Sequence, residues 1–161
     1  MPWDKPYHPV RNRRLDPELY SCANRVCFMT VRAYRNQSPF VHHHLNQQIL
    51  DILREEQEHQ NCAVFTYCLM PDHLHFLVSP SQDGISVLTF TDRYKGKSTN
   101  RSWTAGWHGK LWQQRYYDHI VRAEENLRAI AEYILNNPVR KGLVEHAEDW
   151  SWSGHMNPLP L

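Results

Sequence analysis

Apolar and polar positions change period several times along this chain, and each change marks an element. "CANRVCFMTVRAY" is rich in β-branched and aromatic residues and predicts a first strand. In "VHHHLNQQILDILREEQEHQ" the apolar residues Leu45, Ile49, Ile52 and Leu53 recur at the 3.6-residue period of an amphipathic helix. "CAVFTYCLM" predicts a second strand and "LHFLVSP" a third. Only Pro71 and Asp72 separate the second strand from His73, which is the length of a tight hairpin with proline presetting the first turn angle. "GISVLTFTDRYKGKSTN" predicts a second helix, "LWQQRYYDHIV" one or two short strands, and "AEENLRAIAEYILNN" a third helix. The order β, α, β-hairpin, α, β, α predicts an α+β fold: a ferredoxin-like antiparallel sheet with helices packed on one face.

The third strand carries an anomaly. "CLMPDHLHFLV" is apolar on both faces except for His73 and His75. Side chains two apart on a strand leave the same face, about 6.6 Å apart along the chain. The two imidazoles are therefore near enough to share a divalent ion if a third ligand arrives from elsewhere. The plainer reading is a pair of histidines satisfied by hydrogen bonds in the core or at a sheet edge. A zinc site drawing on His42, His43 and His44 with Cys62 and Cys68 is another alternative, although these residues lack finger-like spacing. The last helix offers a third ligand: Tyr133 and Asn137, four residues apart, would share one helical face. Pro138 disfavours the helical conformation at Asn137, however, which leaves Asn136 as a substitute.

Composition narrows the class. The 161 residues fit a single domain, 1–161, with residues 1–20 as a basic N-terminal extension and 150–161 as a C-terminal tail. With 18 basic and 17 acidic residues, overall charge predicts no nucleic-acid partner. The basic residues do cluster locally: Arg11, Arg13 and Arg14 near the start, Arg93, Lys95 and Lys97 in the second helix, Arg140 and Lys141 near the end. Arg115 and Arg122 flank "YYDHIV". Four cysteines without CxxC spacing, no signal-peptide core and no apolar run of membrane-spanning length predict a reduced, cytoplasmic protein with no membrane association. Packing accounts for the cysteines. Trp107, Trp112, Trp150 and Trp152 offer stacking surfaces for bases, with core packing the simpler reading of each; "WSWS" reads as a clasp over the core, and His119 as structural.

The motifs "PDHLHFLV", "LWQQRYYDHIVR", "AEYILNNPVRKGLV" and "DWSWSG", in this order from about Cys22 to Gly154, resemble the single-tyrosine HUH transposases, in the branch of REP-associated tyrosine transposases. The resemblance implies that His73, His75 and Asn137 bind one divalent metal, Mg²⁺ or Mn²⁺, and that Tyr133 is the nucleophile. Related insertion-sequence enzymes more often carry Gln where Asn137 stands. Phenols need such help, since only about one in a thousand is ionised at pH 7. The implied activity is metal-dependent cleavage of single-stranded DNA and strand transfer through a 5′-phosphotyrosine, acting on hairpin (REP-like) DNA, by a monomer or homodimer. The ten arginines and lysines named above would contact DNA phosphates. Two competing readings are a domesticated hairpin-DNA-binding protein without cleavage activity and an RNA-binding sheet, whose usual aromatic strand signature is not evident.

Overall fold

The computed structural model of the protein describes residues 7–8 and 14–161; Arg11 and Arg13, two of the expected phosphate contacts, lie outside them. Strands β1 (Cys27–Arg32), β2 (Cys62–Met70), β3 (His73–Pro80), β4 (Tyr117–Ile120) and β5 (Ser153–His155) form one sheet in the order β4-β1-β3-β2-β5, with every pairing antiparallel. Helix α1 (His43–His59) joins β1 to β2, and α2 (Val87–Thr104) joins β3 to β4. Helix α3 (Leu127–Leu135) and the single turn α4 (Asn137–Arg140) follow β4. The α+β class and the ferredoxin-like antiparallel sheet are those the hydrophobic pattern predicts.

Alternation along the strands divides the interior in two. Cys27, Met29 and Val31 of β1, with Leu74, Phe76 and Val78 of β3, meet Ile49, Leu53, Phe90 and Tyr94 of α1 and α2 in the larger core. Phe28 and Leu77 leave the other side of the sheet, where Ile130, Ala131 and Ile134 of α3 close a second core. The two long helices thus share one face as expected, while α3 covers the opposite one. The reason lies in β3. Every residue of this central strand is buried, so its apolar side chains need cover on both faces.

One irregularity keeps that second core continuous. Between the pairs Val64↔Val78 and Tyr67↔Phe76, residues Phe65 and Thr66 stand opposite Leu77 alone, a β-bulge. The extra residue shifts the strand's phase, so Phe65 and Cys68, an odd number of residues apart, both face α3. Ser86 caps α2, its Oγ accepting from the amides of Leu88 and Thr89, and Asn126 caps α3 by accepting from Ala129 at 3.2 Å. Asn61, with φ of 52°, turns the chain from the end of α1 into β2.

The segment from residue 150, expected as a tail, supplies the edge strand β5. Trp150 Nε1 donates to the Leu69 carbonyl at 3.0 Å, and the Trp152 ring lies 5.0 Å from His43. Trp112 is buried and donates to Ser98 Oγ at 2.8 Å. These three indoles are packing and anchoring groups rather than open platforms for bases. Cys27, Cys62 and Cys68 are buried in strands, and all four cysteines are free. Among the described residues no helix is long and apolar enough to cross a membrane.

Between α1 and α2 sits a buried charge. Glu56, its side chain 1% exposed, pairs with Lys97 Nζ at 2.5 Å and accepts from Gln60 Nε2. Burial alone would raise its pKa, but these donors outweigh it and hold the carboxyl below its ordinary 4.5. At pH 7 the group is ionised in the folded and unfolded chains alike. Below about 4.5 the unfolded chain takes the proton first, so the stabilisation is present above that pH and lost below it. Glu56→Gln is expected to cost about 1–2 kcal/mol in urea unfolding at pH 7. The difference from wild type should vanish as the pH falls through Glu56's lowered value.

Candidate active site

Register brings the polar residues together. In the β1–β3 ladder Thr30 pairs with His75 and Arg32 with His73, so four polar side chains leave the α3 face near the β2–β3 hairpin. The other half of the cluster comes from a break in a helix. α3 ends at Asn136, and the chain resumes as α4 with Pro138 in the first turn, where its missing amide hydrogen costs nothing. The break turns Asn137 inward, 3% exposed, while Asn136 stays exposed. Of the two asparagines that the sequence offers, Asn137 meets the histidines.

The contacts are short and directional. His73 Nδ1 lies 2.6 Å from Asp72 Oδ1; an ionised carboxylate only accepts, so Nδ1 carries the proton and Nε2 presents its lone pair. His75 Nδ1 lies 2.8 Å from Thr30 Oγ1, a hydroxyl able to donate or accept. The two Nε2 atoms are 3.1 Å apart, and the Asn137 amide is 3.1 Å from His73 Nε2. Two groups therefore aim at a nitrogen with a single lone pair. That arrangement fits a cation. Two ligand bonds of about 2.1 Å at right angles span about 3.0 Å, close to both separations. With the amide turned by half a rotation, Oδ1 would join the two Nε2 atoms as a third ligand atom. Two imidazoles and an amide oxygen suit Mn²⁺ or Mg²⁺.

Burial keeps these rings neutral. Desolvation lowers the His73 pKa below its ordinary 6.5, with Asp72 opposing the shift, and lowers that of His75 well below, aided by His73, Arg32, Arg140 and Lys141. Tyr133 stands half-buried at the margin of the cluster, its ring 6.5 Å from that of His75 and 6.4 Å from Phe28. The Tyr7 ring meets it edge-on at 5.2 Å. Arg140 lies over the Tyr133 ring, 3.8 Å from its centre, and Nη1 donates to the Tyr133 carbonyl at 2.7 Å. Phe28, Tyr133 and Arg140 join the polar cluster in lining a cleft of about 510 Å³ whose cations are Arg32, Arg140 and Lys141.

The remaining expected DNA contacts scatter. Arg14 holds Asp118 with two donors at 2.8 and 3.0 Å. Lys95 donates to the Gln114 carbonyl at 2.8 Å, Lys97 is occupied by Glu56, and Arg122 lies within 3.4 Å of Glu125. Arg93 and Arg115 are exposed away from the cleft lining. His119 Nε2 meets both Glu125 oxygens, at 2.9 and 3.0 Å, and ties β4 to the segment leading into α3. Among the described residues no three His, Cys, Asp or Glu side chains form a metal-holding group. The zinc alternative fails on placement as well, since Cys62 and Cys68 lie in the two different cores. Sequence reasoning passed over Thr30, Arg32 and Asp72. The signal was present in "FMTVR", where two polar residues two apart interrupt an apolar run as His73 and His75 do.

The profile of the family described as "Transposase IS200 like" matches residues 20–137. The chain belongs to that family, in its branch of REP-associated tyrosine transposases. A Haemophilus influenzae protein provisionally named a REP-associated tyrosine transposase is 27% identical over 106 residues; the match spans 60% of this chain and 60% of that protein's length. The REP-associated tyrosine transposase of Escherichia coli K12 is 25% identical over 130 residues, spanning 78% of this chain and 73% of the relative. The fold is similar to that of a REP-associated tyrosine transposase solved bound to a REP hairpin, with a TM-score of 0.72 at 20% identity over 90% of this chain and 82% of the other.

The lowered imidazole pKa values carry a sign. Above pH 6.5 both rings are neutral in the folded and unfolded chains. Below it the unfolded chain binds protons that the buried rings resist, so stability falls with pH. Urea unfolding is expected to weaken between pH 7 and about 5.5, less so in His75→Gln, and nitrogen-15 spectra should find the His75 ring still neutral at the lower pH.

Proposed function

We propose that this protein cleaves single-stranded DNA and transfers strands through Tyr133, acting on hairpin DNA of the REP type, with a divalent metal held by His73, His75 and Asn137. One observation carries the reading: His75 Nε2 and the Asn137 amide both approach the His73 Nε2 lone pair at 3.1 Å, in a cationic cleft that Tyr133 also lines. A core histidine pair satisfied by hydrogen bonds would not need two groups aimed at the single lone pair of one ring nitrogen.

In this reading the Tyr133 phenolic oxygen attacks the phosphorus of a DNA phosphodiester. A P–O(Tyr) bond forms as the P–O3′ bond breaks; the phenol gives up its proton and the departing 3′ oxygen gains one. The products are a 5′-phosphotyrosine and a 3′-hydroxyl, and because the new diester keeps the energy of the old, another strand's 3′-hydroxyl reverses the step. Bound Mg²⁺ or Mn²⁺ would polarise the scissile phosphate and stabilise the leaving oxygen. Arg32 and Lys141 draw the phosphate into the cleft, and Arg140 fixes the plane of the Tyr133 ring. Asp72 holds His73 in the tautomer that leaves Nε2 free. Thr30 permits His75 two states: its hydroxyl donates to Nδ1 while Nε2–H bonds His73, or accepts from Nδ1–H and frees Nε2. The protein would act as a monomer or a homodimer. We place the reaction in the cytoplasm, in keeping with four free thiols.

Incubation with hairpin DNA bearing an unpaired flank, in Mn²⁺ or in chelator, tests the reading on a denaturing gel with mass analysis. A metal-dependent covalent adduct that Tyr133→Phe abolishes is the expected result. Binding with no adduct across a broad hairpin set would instead assign a binding module without cleavage. Thr30→Val, which removes the hydroxyl and keeps the shape, is expected to weaken Mn²⁺ binding by about 10–100-fold in calorimetry.

A further inference from the structure

The N-terminal extension reaches both faces of the edge strand β4. Arg14 holds one Asp118 oxygen with two donors, and Tyr20 Oη donates to the other at 2.7 Å while accepting from the Leu15 amide at 3.0 Å. Asp118 and Tyr117 are neighbours on β4, so their side chains leave opposite faces of the sheet. Tyr20 belongs to the core under α1 and α2, whereas Tyr7 packs with Tyr117 against the core under α3. A segment pinned at Arg14 thus delivers Tyr7 to the Tyr133 side of the sheet.

There Tyr7 meets the Tyr133 ring and does not itself line the cleft. The two rings are 5.2 Å apart and nearly perpendicular, at 80°, and Tyr7 also lies 6.1 Å from Phe28. Its hydroxyl is buried and faces the Tyr117 phenol. Burial first, and then Tyr117 and the Glu125 carboxylate, push the Tyr7 pKa above its ordinary 10. Tyr7 is therefore a neutral phenol at pH 7 and no second nucleophile. What it offers Tyr133 is a wall.

Tyr133 needs one. A half-buried tyrosine at the margin of a cleft can exchange rotamers, and each exchange swings its phenolic oxygen by several ångströms. Arg140 covers a face of the ring at 3.8 Å, and Phe28 stands 6.4 Å away. The perpendicular Tyr7 ring adds a contact from a third element and narrows the orientations left to the phenol. Attack at phosphorus depends on such restraint, because a misplacement of about 1 Å can cost about a hundredfold in rate. Resting on the function proposed above, we propose that Tyr7 is a positioning residue: together with Arg140 it holds the Tyr133 ring so that the phenolic oxygen points at the scissile phosphate.

Single-turnover adduct formation on hairpin DNA in Mn²⁺ tests this in Tyr7→Ala and Tyr7→Phe, with folding checked by thermal melting. In Tyr7→Ala the limiting rate at saturating DNA is expected to fall about tenfold, while the half-saturating DNA concentration and the Mn²⁺ affinity stay within about twofold. Tyr7→Phe keeps the ring and should recover most of the lost rate. Carbon-13 relaxation of the Tyr133 ring reads the restraint without any reaction: the ring should be more mobile in Tyr7→Ala than in wild type or Tyr7→Phe. An unchanged limiting rate, a loss confined to DNA affinity, or faster attack by an uncovered Tyr133 would overturn the proposal. So would a Tyr7→Phe as impaired as Tyr7→Ala, or Tyr133 relaxation that the substitution leaves unaltered. If wild type forms no adduct, the chemistry proposed above is refuted, and the relaxation alone decides whether Tyr7 restrains Tyr133.

Discussion

The lone pair on Nε2 of His73 is the constraint on which the rest of the site depends. Asp72 takes the proton on the far side of the ring, and both His75 and the Asn137 amide approach the near side at 3.1 Å. Holding that geometry requires a strand that cannot slip, because a one-residue shift would send both imidazoles into the other core. β3 meets the requirement by sitting between β1 and β2 with all its residues buried. It also requires an asparagine delivered from beyond the end of a helix, which the break at Asn136 and the restart at Pro138 accomplish.

The two faces of the sheet divide the work. The face under α1 and α2 is an apolar core with large side chains such as Phe76, Phe90 and Tyr94, and it stabilises the fold. The face under α3 is apolar only along part of the strands, at Phe28, Leu77 and Ile134, and becomes polar toward the hairpin at Thr30, His73 and His75. Each buried imidazole loses hydration, a cost that its Nδ1 partner offsets by about 1 kcal/mol. The same loss of water keeps the rings unprotonated and able to act as ligands. On the function proposed, burial that would be a liability in an ordinary core serves the binding of a cation.

Most of the fold could be read from the chain because its signals are local. The amphipathic period of α1 and the two-residue hairpin at Pro71 and Asp72 lie within a few residues of one another. The side of the sheet that α3 covers, the bulge at Phe65 and Thr66, and the return of residues 153–155 as β5 depend on partners far away in sequence. The site divided in the same way. His73 and His75 stand out against an oily strand, but Thr30 and Arg32 look like ordinary strand residues until the β1–β3 register sets them opposite the histidines. The outcome at Asn137 turned on the direction of a helix break, which the proline announces without specifying. The basic residues were the least legible, since nothing near Lys97 in sequence reveals Glu56 waiting on another helix.

Crystals soaked in Mn²⁺ and measured at a wavelength where manganese scatters anomalously test the central claim most directly. The account predicts one strong peak about 2.1–2.2 Å from the Nε2 atoms of His73 and His75 and from the Asn137 side-chain oxygen, with the amide reversed to bring that oxygen inward. A cleft without a peak at millimolar Mn²⁺, with the two imidazoles still hydrogen-bonded to each other, would mean that the histidines are a satisfied core pair and not a cation cradle.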